Sequence, residues 1–145
     1  MPRSTRFSRD TSTAGNPIVA DHLAGLEWQG CMYGQTGDSC GSGSATMMLW
    51  QDALASCEGL SWAGHTDWRL PNANELTSLV DDHTSSPASD TTAFPGLIAA
   101  ETLTSTSESA PGYSSQAFDL NFVAGSLLSR AKTDNTFFRC VRDEP

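Results

Sequence analysis

Four cysteines, Cys31, Cys40, Cys57 and Cys140, carry the most direct chemistry in this chain. An even count suits two disulfides formed in an oxidising compartment. Zinc is the competing use of thiolates, but no pair is spaced as CxxC and His22, His65 and His83 are scattered, so the spacing argues against a zinc site. A harder cation has better donors. Asp81, Asp82 and Asp90 fall in a stretch rich in Ser, Thr and Pro, and oxygen ligands on irregular loops suit calcium. No other cofactor is expected. Catalysis would need a nucleophile beside a base, paired carboxylates or a metal constellation, and no such local pattern occurs. HExxH and a phosphate-cradling glycine loop are both missing. The chain is therefore read as a non-enzyme with no catalytic residue, and the chemistry left to it is recognition. Ser107, Tyr113 and Gln116, together with Asp90, are the expected ligand contacts, because long irregular loops carry function when a rigid scaffold presents them.

The elements that would present those loops centre on residues 61–79, SWAGHTDWRLPNANELTSL. Pro71 bars helix at the residue before it, which leaves Asn72 free to cap. The Asn72 side chain can accept from the backbone of Asn74 or Glu75, and the Glu75 carboxylate can reach back to close a capping box. A helix is expected over residues 73–82, with Ala73, Leu76, Leu79 and Val80 on one face. Apolar spacing at Met47, Trp50, Ala53, Leu54, Cys57 and Leu60 predicts another over residues 45–60. Trp50, Trp62 and Trp68 are expected to be largely buried and to hold both helices to a sheet. Residues 18–20 and 23–28 read as early strands or a hairpin. The alternation of Phe118, Leu120 and Phe122 with Asp119 and Asn121 reads as a strand with one buried face. Residues 137–141 form the expected last strand, and Leu127 and Leu128 a short one. Residues 31–43, with four glycines, read as loop.

Composition bounds the partners. Seventeen acidic against eight basic residues give a net charge of -9, which repels nucleic acid and other polyanions at long range. No apolar run approaches the ~20 residues of a membrane span. At 145 residues one core is expected, with residues 1–16 as a polar lead or linker that includes a first strand, and residues 17–145 as a single domain. The opening MPRSTRF has no apolar targeting core, so a secreted or surface protein would carry its signal or anchor outside this sequence.

The run DWRLPNANEL at residues 67–76 resembles the signature of the DUF1566 family, also called the Lcl C-terminal domain, grouped with C-type-lectin-like folds. DHLAGLEWQ at 21–29, WQDALASC at 50–57 and RCVR at 139–142 agree with it in order. At residues 102–106 this chain has Thr-Leu-Thr-Ser-Thr where the family usually has Tyr-Trp before a Ser/Thr run. The resemblance implies an α+β fold, two helices on a twisted, mainly antiparallel sheet with long loops. It also implies that Cys57 pairs with Cys140, since such domains commonly join their first helix to their last strand, which leaves Cys31 with Cys40. The apolar company of Cys57 (Ala53, Leu54) and Cys140 (Phe138) agrees with that link. Extracellular adhesion to a glycan or another surface ligand is the implied function, either within a longer surface protein or as a homo-oligomer. The rival readings are a structural or tip subunit of an extracellular filament and an enzyme related to formylglycine-generating proteins. The Glu-Pro-Asn, Gln-Pro-Asp and Trp-Asn-Asp motifs of calcium-dependent sugar-binding lectins do not occur.

Overall fold

The structure, a computed structural model, describes residues 6–81, 88–98, 100–108, 111–112 and 115–144. Among the described residues the protein is α+β, with two short helices and mixed sheets. The first sheet has the order β1 (Phe7–Asp10), β2 (Ile18–Asp21), β3 (Leu26–Gln29) and β11 (Val141–Asp143), all antiparallel. The second has the order β6 (Met47–Met48), β10 (Thr136–Phe137), β7 (Glu101–Ser107), β8 (Gln116–Asn121) and β9 (Ser126–Ala131). Its β10–β7 pair is parallel and the rest antiparallel. Between these, β4 (Gln35–Thr36) and β5 (Ser42–Gly43) make a small hairpin inside the glycine-rich segment.

Residues 137–141 are thus not one strand. The chain leaves the second sheet after Phe137 and joins the first at Val141, so Phe138, Arg139 and Cys140 cross the interior and are almost fully buried. That crossing divides what the sequence suggested as one sheet into two. It also separates the apolar interior into two clusters. One gathers Ala53, Cys57, Trp62, Trp68, Leu70, Phe138 and Cys140, and the other Val19, Trp28, Leu76, Phe94, Leu120, Phe122 and Val141.

The stretch at residues 61–79 ties both clusters together. Trp62 donates its indole N–H to Pro17 O at 2.9 Å and Trp68 donates to His65 O at 3.1 Å, so each buries its ring without stranding its polar atom. Arg69 and Val141 exchange backbone hydrogen bonds, both 2.8 Å. Helix α2 (Ala73–Thr77) starts where the capping chemistry places it: Glu75 N–H donates to Asn72 Oδ1 at 2.8 Å, and Asn72 N–H donates to Glu75 Oε1 at 2.9 Å. It is shorter than the apolar spacing suggested, because Leu79 is buried and Val80 half-buried from the turn that follows rather than from further helix.

Helix α1 (Trp50–Glu58) begins five residues later than expected, as 50 minus 45 shows. Met47 and Met48 extend instead to pair with Thr136 and Phe137. Helical spacing there is overridden by sheet hydrogen bonds to a segment almost ninety residues away, which local periodicity does not register. Just upstream, Gly34 holds a φ of +101°, and a Cβ there would lie 2.3 Å from Ser44 O, so the hairpin closes only around a residue without a side chain.

Two disulfides staple the architecture. Cys57 bonds to Cys140, joining α1 to the crossing before β11, and Cys31 bonds to Cys40 within the hairpin segment. Both pairs are those implied by the family resemblance.

Candidate functional site

The loop end of the β7–β8 pair collects several polar side chains. Ser107 is the last residue of β7 and Gln116 the first of β8, so the ladder itself brings these two expected contacts together. Ser107 Oγ donates to Gln116 O at 3.5 Å, and Glu108 N–H donates to the same oxygen at 2.9 Å. Lys132 then closes the group. Its Nζ donates to Ser107 Oγ at 2.7 Å and sits 4.2 Å from the centroid of the Trp50 ring, a cation–π contact. Its backbone N–H donates to Ser115 O at 2.9 Å, and its carbonyl accepts from Trp50 N–H. Trp50 is anchored from below by its indole N–H on Thr104 O at 3.0 Å. Ser129 Oγ donates to Glu108 Oε2 at 3.0 Å, extending the array across β8 to β9.

Trp50 is consequently only partly buried, in contrast to Trp62 and Trp68 at 5% and 2% exposure. Its place at the first turn of α1 sets one side of the ring against the core and leaves the other to Lys132. Sequence reasoning placed Trp50 in the core and did not single out Lys132. The two lie 82 positions apart (132 minus 50), and only the β9 to β10 return brings them into contact. Ser105, in the segment where the usual Tyr-Trp is missing, donates its backbone N–H to Pro71 O, while Thr106 Oγ1 accepts from Ala73 N–H. The substituted Ser/Thr run thus fastens β7 to the start of α2.

Other expected residues fall elsewhere. Asp90 Oδ1 accepts from Thr92 and Ala93 N–H at 3.0 and 3.2 Å, closing its own turn. Asp81 donates its backbone N–H to Ala88 O. Tyr113 and Asp82 lie outside the described residues. No group of three or more His, Cys, Asp or Glu positioned to hold a metal ion occurs among the described residues.

Several of the described arginines are spent on internal pairing. Arg6 forks onto Asp21 with two 2.9 Å bonds, Arg142 bonds Glu27 and Asp67, and Arg130 holds Asp119 at 2.6 Å with Glu101 and Asp134 beside it. Burial pushes the Asp119 carboxyl up, and Arg130 only partly offsets this. Arg139 is the most isolated. Its guanidinium stacks 4.7 Å from the Phe94 centroid and donates to Gln29 O at 3.1 Å, while Nε and Nη2 are buried without a hydrogen-bond partner. Burial, then the like charge of Arg9, pulls it down to about 9.

The sequence model of the Lcl C-terminal domain family matches residues 17–142. The chain belongs to the Lcl C-terminal domain family. The matched span takes in both helices, both disulfides and every strand after β1 except the last residue of β11. No curated protein matches the chain. Among the described residues no helix is long and apolar enough to cross a membrane, and two disulfides are compatible with an extracellular location.

Proposed function

We propose that this Lcl C-terminal domain is an extracellular binding module of C-type-lectin-like design that adheres to a glycan or another surface ligand, and not an enzyme. The observation that carries the reading is the array of Ser107, Gln116, Glu108, Ser129 and Lys132 around the partly exposed Trp50. Hydroxyl, backbone carbonyl, carboxylate and ammonium groups lie together there as donors and acceptors, which complements a polyhydroxylated ligand whose own hydroxyls both donate and accept. Trp50 supplies an apolar surface beside them. The groups are held by one another and by strand backbone, so little ordering entropy is left for a ligand to supply. The disulfides support the extracellular part of the reading.

A broad glycan array on the intact chain tests it, followed by the same array with Lys132→Ala and Ser107→Ala proteins whose circular dichroism matches wild type. A reproducible hit that weakens by roughly tenfold in either variant, about 1.4 kcal/mol, is expected. Undiminished binding by both variants would remove the site, and turnover of a bound ligand would replace adhesion with catalysis.

A further inference from the structure

Three of the four outer strands of the two main sheets carry a feature that blunts pairing. In the first sheet, β11 is bridged on its free side by Arg69, and β1 is four residues long with charged Arg9 and Asp10. In the second, β6 has only two residues. The remaining outer strand, β9, has six residues, no proline and no bulge against β8. Ser126 to Ser129 are all exposed, with Leu127 at 42% and Leu128 at 44%. Its single charged side chain, Arg130, is turned back onto Asp119, Glu101 and Asp134 rather than set against an incoming strand. Natural sheets block such strands with lysine, proline, bulges or brevity, and β9 uses none of these.

The phase of the ladder fixes which backbone groups are on offer. Lys132 N–H donates to the directly opposed Ser115 O, so Arg130, Leu128 and Ser126 are the hydrogen-bonded partners of β8. Leu127, Ser129 and Ala131 then direct their N–H and C=O groups away from β8. We propose that β9 pairs antiparallel with β9 of a second copy of this chain about a two-fold axis at Leu128, which joins the two five-stranded sheets into one.

The strand's own sequence supplies the complement. With the axis at Leu128, this residue faces Leu128 of the second copy at a non-hydrogen-bonded position, where side chains approach most closely. Leu127 falls opposite Ser129 and Arg130 opposite Ser126, so no like charges meet. Both exposed leucines of each copy are covered, and roughly four ladder hydrogen bonds form through residues 127 and 129. An isologous contact of this kind closes on itself and leaves no new edge to propagate. The chain's net charge of -9 opposes association at long range, whereas β9 carries only a cation that is already paired. Association driven by backbone pairing and leucine burial therefore strengthens as salt screens that repulsion.

Sedimentation equilibrium of the intact chain should show a monomer–dimer equilibrium whose dimer share rises with concentration and between about 0.01 and 0.15 M salt. Leu128→Lys places two ammonium groups across the axis and should weaken dimerisation by at least ~tenfold with an unchanged circular dichroism spectrum. Leu128→Cys should give a disulfide-linked dimer on mild oxidation, while Leu23→Cys, 59% exposed outside β9, should not. A chain that stays monomeric to about 1 mM at every salt concentration overturns the proposal. So does a dimer that survives Leu128→Lys, or one that Leu23→Cys cross-links as well as Leu128→Cys. Protection of the β9 amides from hydrogen exchange only on adding an unrelated extended peptide would also overturn it, by giving the edge to a different partner.

Discussion

Trp68 shows how one side chain can serve two demands. Its ring is 2% exposed within the cluster that contains Cys57 and Cys140, and its indole N–H is satisfied by His65 O. Trp68→Ala should cost about 3 to 5 kcal/mol, seen as a lower denaturant midpoint, since neighbours held by a disulfide cannot collapse far into the cavity. The buried carboxylates make a second prediction at this scale. Burial raises Asp21, but bonds from Arg6, Trp28 and the Ala24 N–H outweigh it, so its carboxyl sits below the ordinary range. Glu75 is likewise raised by burial and more strongly lowered by Arg69 and the Asn72 N–H. A carboxyl lowered in the folded state contributes stability that is complete above its unfolded value and lost as pH falls through the folded value. Asp119, raised by burial, has the opposite sign and offsets part of this loss. Thermal stability should fall as pH drops below about 4, and Asp21→Asn should lower it at pH 7 while flattening that acid limb. An acid limb equally steep in the Asn variant would count against the assignment.

At the scale of elements, the Cys57–Cys140 disulfide governs the relation of α1 to the chain end. It spans a sequence separation of 83, for which loop-closure entropy gives roughly 4.5 kcal/mol of stabilisation. Replacing both cysteines by alanine should shift the denaturant midpoint more than the equivalent change at Cys31 and Cys40, whose separation is 9 and for which the same entropy gives roughly 2.6 kcal/mol. Non-reducing peptide mapping checks the pairing directly, and a peptide linking Cys31 to Cys140 would contradict it. The β6–β10 and β10–β7 pairs depend on the same tie, because β10 is followed within three residues by the crossing that ends at Cys140.

Across the whole molecule, the segment before the family match is part of the fold. β1 pairs with all of β2, Phe7 meets Phe94 edge-on at 5.3 Å, and Arg6 reaches both Asp21 and Ser78 O. Arg9 reaches further, donating to Gly30 O, Ala93 O and Asp38 O and so linking the first sheet to the disulfide hairpin and the segment around residue 93. Removing residues 1–10 should therefore lower the melting temperature by several degrees and expose Phe94, whereas a dispensable leader would leave the melt unchanged. Asp21, which would lose its ion pair with Arg6, makes the loss larger than an edge strand alone would give.

What the sequence alone determined is what short-range chemistry controls. Asn72 and Glu75 are three residues apart, so their capping box and the start of α2 follow from spacing, as does the burial of Trp62 and Trp68 beside Pro71. The strand at Phe118 to Phe122 and the helical face of Ala53 and Cys57 follow from periodicity in the same way. Family resemblance added the disulfide pairing, which residue patterns left open. The tertiary structure decided everything that depends on distant chain returning to a place. Met47 and Met48 extend because Thr136 and Phe137 arrive beside them, and residues 137–141 divide because two sheets compete for them. Trp50, Lys132 and Ser107 form one surface only after β9 has turned back toward α1, and β9 is an open edge only because no later strand among the described residues lies down against it. These outcomes rest on non-local hydrogen bonds and packing, which no window of adjacent residues contains.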